Sequence, residues 1–177
     1  QNNLFLNNML GLALARQNKL EAASKIYAKM VKNNPKNSEI HNNYGLVLQK
    51  QIKFDLAIIN YENAIKLNPK YVEAYFNLGN VQGLKKNYVK SIENYKKAIS
   101  IKPNYIKSYI NLGNILHKLG RLEESINIFY KVIKIESKSF VSYFNLGNIY
   151  FSQSKFKDAV DSYKKAIIFK PDYLEAF

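Results

Sequence analysis

The chain lacks cysteine altogether, which excludes disulfides, thiolate metal sites and thiol catalysis. That absence fits a reducing compartment, and the cytoplasm is the expected location. Histidine is confined to His41 and His117. No H-E-x-x-H pair, phosphate-binding loop or glycine-rich dinucleotide turn accompanies them. No apolar run approaches the ~20 residues needed to cross a bilayer, so no transmembrane segment is expected. The opening, Gln1 to Phe5, has neither a basic start nor the long apolar stretch of a secretory signal, and no initiator methionine. An excised or processed chain is expected. Negative charge is also scarce: 13 Asp and Glu stand against 27 Lys and Arg, a formal charge of +14. Net charge of this kind speaks first to solubility and non-specific attraction rather than to fold.

What is present is a globular balance, with 47% hydrophobic and 23% charged residues in 177. Its order is periodic. Gly11, Gly45, Gly79, Gly113 and Gly147 are each 34 residues apart. The tetrapeptide Asn-Leu-Gly-Asn recurs at 77–80, 111–114 and 145–148, and Pro35, Pro69, Pro103 and Pro171 keep the same phase, with Ser137 where the missing proline would fall. Five units follow, at 4–37, 38–71, 72–105, 106–139 and 140–173, and 174–177 opens a sixth. Ending there without a polar capping helix, the pattern suggests that the parent chain continues or that another molecule covers this edge.

With Leu4, Ser38, Val72, Ile106 and Phe140 as position 1, position 7 is Leu10, Tyr44, Leu78, Leu112 and Leu146. Position 20 is Ala23, Ala57, Ser91, Ser125 and Ala159, and position 24 is Tyr27, Tyr61, Tyr95, Phe129 and Tyr163. This pattern resembles the tetratricopeptide repeat along essentially the whole chain. The resemblance implies an all-α, right-handed superhelical solenoid of five 34-residue helix-turn-helix repeats. Departures are Asn7 and His41 at an aromatic position, Gln82 at apolar position 11, and Met30 and Val132 at small position 27.

The residues support the same fold directly. Positions 4, 7, 8 and 11 fall within a ~100° arc, one buried stripe of a first helix. Positions 17, 20, 21, 24, 27 and 28 form the apolar face of a second. Glycine inside a helix costs about 1 kcal/mol, so its recurrence at position 8 implies close approach of a neighbour, expected to be the small residue at position 20. Each proline disfavours helix in the residue before it and separates one hairpin from the next. A lone hairpin cannot cover both stripes, so neighbours must stack.

The opposite face of the first helix carries the functional expectation. Position 6 is Asn in Asn43, Asn77, Asn111 and Asn145, and position 9 is Asn in Asn80, Asn114 and Asn148. Position 5 adds Phe76, Ile110 and Phe144. A carboxamide offers donors and an acceptor, so a column of them can pair with the backbone of an extended peptide. This ladder resembles the repeats of O-linked N-acetylglucosamine transferase, where groove asparagines hold substrate main chain. The expected function is a protein-interaction scaffold with a protein or peptide partner. Alternatives are the substrate-recruiting portion of a larger enzyme, such as a glycosyltransferase, and electrostatic attachment to nucleic acid or an anionic membrane.

The carboxylate clamp of heat-shock co-chaperones, a second use of the fold, is poorly matched. Its nearest counterpart here is Asn42, Leu46, Asn77, Lys107 and Asn111, with Lys107 the single basic residue. A groove for an acidic terminus needs charge-assisted bonds. The lysines instead gather on the second helices, at Lys96, Lys97, Lys131, Lys134, Lys157, Lys164 and Lys165 among others. Specific nucleic-acid readout is not expected, because it favours arginine, and only Arg16 and Arg121 are present. No acid/base pair or nucleophile stands out, and neither enzyme activity, cofactor nor metal is expected. Self-association through uncapped ends is a further expectation.

Overall fold

The computed structural model describes residues 3–171, and the start of the sixth unit at 174–177 lies outside them. Ten helices occur among the described residues: α1 (Leu4–Arg16), α2 (Leu20–Asn33), α3 (Ser38–Lys50), α4 (Phe54–Leu67), α5 (Val72–Leu84), α6 (Tyr88–Ile101), α7 (Ile106–Lys118), α8 (Leu122–Ile135), α9 (Phe140–Ser152) and α10 (Phe156–Phe169). They form an all-α solenoid of tandem helix-turn-helix repeats, in which odd-numbered helices are the first (A) and even-numbered the second (B) of each pair. The chain falls into two compact units, Gln1–Ile101 and Lys102–Phe177. In the first, each helix packs on the next from α1 to α6, and α3 touches both α1 and α5. In the second, α7 to α10 pack in sequence and α7 touches α9. A helices thus line up beside A helices within each unit.

Each hairpin closes on one contact. The ring at position 24 packs directly against the glycine at position 8. A Cβ on Gly45 would sit 2.6 Å from Tyr61, one on Gly79 2.7 Å from Tyr95, and one on Gly113 2.7 Å from Phe129. No real Cβ tolerates such a distance, so an aromatic ring, and not the position 20 side chain, is what forbids a larger residue. Position 20 contributes differently: Ser91 Oγ donates to the Gly79 carbonyl at 2.7 Å and Ser125 Oγ to that of Gly113 at 2.8 Å. Tyr27, Tyr61 and Phe129 are fully buried, and burying an aromatic of this size contributes about 1.5–3 kcal/mol.

The departures from the pattern are absorbed locally. Buried His41 places Nε2 2.9 Å from the Pro35 carbonyl and Nδ1 3.2 Å from Asn60 Oδ1. Buried Gln82 accepts from Asn87 Nδ2 at 2.9 Å. Met30 and Val132 remain in the core. Asn3 and Asn37 cap α1 and α3 by accepting from the amides of Leu6 and Ile40, both at 3.1 Å.

Every A-to-B turn is left-handed at position 15, with φ between 58° and 71° at Asn18, Ile52, Lys86, Gly120 and Ser154. The following amide returns to the carbonyl five residues earlier, as in Lys53 to Leu48 at 2.9 Å, the hydrogen bond of a helix-ending turn. Only Gly120 adopts this conformation freely. Ile52 does so with a β-branched side chain that is 73% exposed, at a cost of roughly 1–2 kcal/mol. Ile52→Gly is therefore expected to raise unfolding stability by about 1 kcal/mol, read from urea unfolding followed by circular dichroism. An unchanged or lower midpoint would show that the turn is not strained.

Candidate functional site

The asparagine columns lie on the A helices, and the structure divides them into two chemical states. In the first unit, position 6 is joined to position 5 of the preceding repeat. Asn43 Nδ2 donates to Asn8 Oδ1 at 3.0 Å, and Asn77 Nδ2 donates to Asn42 Oδ1 at 2.9 Å. Asn42 Nδ2 in turn donates to Asn43 Oδ1 at 3.3 Å, so one chain of amides runs across α1, α3 and α5. Asn8 is held further by the Tyr27 hydroxyl at 3.0 Å and gives its own N–H to Glu39 at 3.0 Å. Asn43 and Asn77 are each only 8% exposed. These two carboxamides bind repeat to repeat.

In the second unit the same position behaves otherwise, for a reason visible in sequence. Its position 5 partner in α7 is Ile110, which has no acceptor. Asn145 Nδ2 turns back into its own helix and donates to the Val141 carbonyl at 2.8 Å. Asn111 and Asn145 are half-buried rather than buried.

Position 9 is governed by position 24. A buried phenol needs an acceptor, and Asn supplies it: Tyr95 donates to Asn80 Oδ1 at 2.7 Å and Tyr163 to Asn148 Oδ1 at 2.8 Å. Where position 9 is leucine, the hydroxyl finds another group, Gln49 for Tyr61 at 2.9 Å and Asn8 for Tyr27. Position 24 of the fourth repeat is Phe129, without a hydroxyl. Asn114 is consequently exposed, and its side chain has no hydrogen-bond partner among the described residues.

The apolar column stands beside these amides within each repeat. Phe76 lies 6.0 Å from the Tyr95 ring and Phe144 6.0 Å from that of Tyr163, centroid to centroid. Phe76, Ile110 and Phe144 are half-buried, Lys107 is exposed, and His117 is half-buried on the same side of α7. Sequence reasoning missed Asn8, Tyr27 and Tyr71. Burial followed by the carboxylates of Glu39 and Glu73 pushes the Tyr71 phenol up to about 12. Burial and then Glu39 likewise push Tyr27 up to about 12. The oxygen count at positions 5 and 24 was the signal that could have found Asn8 and Tyr27.

The lysines of the B helices, among them Lys96, Lys97, Lys131, Lys134, Lys157 and Lys164, are exposed and not ion-paired among the described residues. No group of three or more His, Cys, Asp or Glu able to hold a metal occurs among the described residues. No helix there is long and apolar enough to cross a membrane.

Tetratricopeptide repeat models match residues 8–59, 53–86, 84–120, 113–154 and 140–173. No curated protein matches the chain. Among solved structures, one of MamA superposes with a TM-score of 0.84 at 22% identity, covering 93% of this chain and 96% of that one. YrrB, described as a repeat protein of this type with an unusual peptide-binding site, gives 0.74 at 21% identity over 95% and 87%. PilF of Pseudomonas aeruginosa gives 0.83 at 16% identity over 94% and 76%.

Two outcomes follow from the bonding. Asn42→Ala orphans the buried Asn77 amide and should cost about 1–3 kcal/mol of stability, whereas Asn114→Ala should stay within about 0.5 kcal/mol. Urea denaturation of the two variants checks this, and equal losses would contradict it. Phenols held above their ordinary pKa keep their proton more tightly folded than unfolded. Their contribution is complete below pH ~10, the ordinary phenol value, and falls as pH rises toward 12. The urea midpoint should therefore decline through that window in wild type and less steeply in Tyr71→Phe. Identical slopes would show that Tyr71 titrates alike in both states.

Proposed function

Because the chain belongs to the tetratricopeptide repeat family, we propose that it is a protein-interaction scaffold, not an enzyme, whose A-helix face receives an extended peptide. The observation that carries this reading is Asn114, an exposed carboxamide with no partner among the described residues, on a face whose other amides are engaged. It retains two N–H donors and its oxygen, enough to pair with both polar groups of a peptide unit. Asn111 and Asn145 flank it as half-buried amides, and Ile110 and Phe144 supply apolar contact. The peptide-binding site described for the structurally similar YrrB favours the same reading.

The ladder expected from sequence, Asn43, Asn77, Asn80, Asn111, Asn114, Asn145 and Asn148, is then unequal in its roles. In this proposal Asn111, Asn114 and Asn145 grip the ligand, with Asn148 sharing its oxygen with Tyr163. Asn43, Asn77 and Asn80 serve mainly to hold the first unit, where Phe76 packs on Tyr95, and Lys107 acts as a side-chain contact at the margin of the second unit's site. Recognition through main-chain groups makes the scaffold tolerant of ligand sequence, with preference left to the apolar column.

The test uses peptides selected from a random-sequence display library on the wild-type chain, with affinity read by fluorescence anisotropy. Asn111→Ala, Asn114→Ala and Asn145→Ala combined should weaken the selected peptides at least tenfold with helicity retained. Phe129→Tyr, which supplies Asn114 with an internal donor, should weaken them severalfold without removing any groove residue. Unchanged affinity in the triple variant would end the ladder proposal while leaving the family assignment intact.

A further inference from the structure

A cavity lies away from the amide columns in the second unit, where α8, α9 and α10 meet. It has a volume of about 250 Å³ and is lined by Tyr130, Tyr143, Tyr150, Asp158, Asp161 and Lys165. Three features distinguish it from the lysine-rich surface around it. First, three tyrosine rings border one space, and the hydroxyls of Tyr130 and Tyr150 meet at 3.1 Å. That bond fixes two rings from successive repeats relative to each other. Second, two of these rings already carry a cation: Lys165 Nζ stands 5.4 Å from the Tyr143 centroid and Lys155 Nζ 6.0 Å from that of Tyr150. Third, neither Asp158 nor Asp161 is ion-paired among the described residues, in a chain with twice as many cationic as anionic side chains.

An aromatic face attracts ammonium through its quadrupole, by about 0.5–1 kcal/mol at exposed sites and more when desolvated. The rim carboxylates add to that field. Burial, and then the hydrogen bond between the Tyr150 and Tyr130 hydroxyls, raise the Tyr150 phenol above its ordinary pKa, so its ring borders the cavity uncharged. An anionic ligand would face two carboxylates and three π faces, with Lys165 its one attraction in the lining. A cation meets the reverse. Lys165, tethered four residues after Asp161, nevertheless rests over Tyr143 rather than pairing with that aspartate. It occupies the place an incoming cation would take.

We propose that this cavity is a binding site for an alkylammonium cation, with Lys165 as a resident competitor that the ligand displaces. The ligand chemistry is shared by a lysine side chain of a partner protein and by a free quaternary amine. Neither source depends on the amide face of the A helices, so the proposal stands independently of peptide binding there.

The experiment is a ¹H–¹⁵N NMR titration of the whole chain at constant ionic strength, balanced with sodium chloride. Probes are tetramethylammonium, the blocked tripeptide acetyl-Gly-Lys-Gly-amide, and tert-butanol as the neutral isostere. Saturable shifts confined to α8, α9 and α10 are expected from at least one ammonium and not from tert-butanol. Lys165→Met should bind that probe at least threefold more tightly, and Asp158→Asn with Asp161→Asn at least fivefold more weakly. A response to the tripeptide alone assigns the site to a protein partner, and a response to tetramethylammonium alone to a free amine; both support it. No saturable shift in wild type and in Lys165→Met, or an equal response to tert-butanol, overturns it. Should the double aspartate variant lose its dispersed spectrum, Lys165→Met and the isostere still decide the matter.

Discussion

The aromatic ring seated on a helical glycine is the contact on which the remaining structure depends. It brings the two helices of each hairpin closer than any side chain at position 8 would permit, since an added Cβ would lie 2.5–2.7 Å from ring carbons in all five repeats. That closeness sets where the ring edge emerges on the A helix. In four repeats the edge carries a phenol, and a phenol arriving among helix-A side chains must find an oxygen. The packing requirement thereby becomes a rule about polar groups on the A helices. It spends one acceptor in each tyrosine repeat, and Phe129 exempts the fourth.

The same economy explains why two asparagine columns of uniform sequence end in different states. Asn8 and Asn42 provide oxygens one repeat before Asn43 and Asn77, and the amides close into an inter-repeat chain. Ile110 provides none, and Asn145 falls back on its own helix. Buried amides of the first kind add stability only while every partner is present, because an orphaned donor costs more than a completed bond contributes. Amides of the second kind can be spared for a ligand. The residues at positions 5 and 24 thus decide which amides stiffen the stack and which, in the proposed reading, are left for recognition.

Much of this was legible in the residues alone. The 34-residue glycine period, the alternating apolar stripes and the prolines placed ten helices and their pairing. The glycine's neighbour was misread as position 20, because small residues suggest close approach more readily than large ones do. In fact the ring at position 24 needs the space that glycine leaves, and the serines Ser91 and Ser125 take up the glycine carbonyl instead. Positive φ at Ile52 and Lys86 was hidden too, since only Gly120 announces a left-handed turn by its identity. Reading the asparagines as one ladder overlooked their immediate hydrogen-bond partners, which are acceptors 35 positions earlier and phenol donors 15 positions later rather than members of the column itself.

The most direct measurement of this division is hydrogen exchange of the asparagine side-chain amides, followed by NMR on ¹⁵N-labelled protein. The Nδ2 protons of Asn43 and Asn77, held by Asn8 and Asn42, should exchange far more slowly than those of Asn114. Slow exchange at Asn114, or exchange at Asn43 and Asn77 as fast as at a solvated asparagine, would contradict the separation of stiffening from recognising amides.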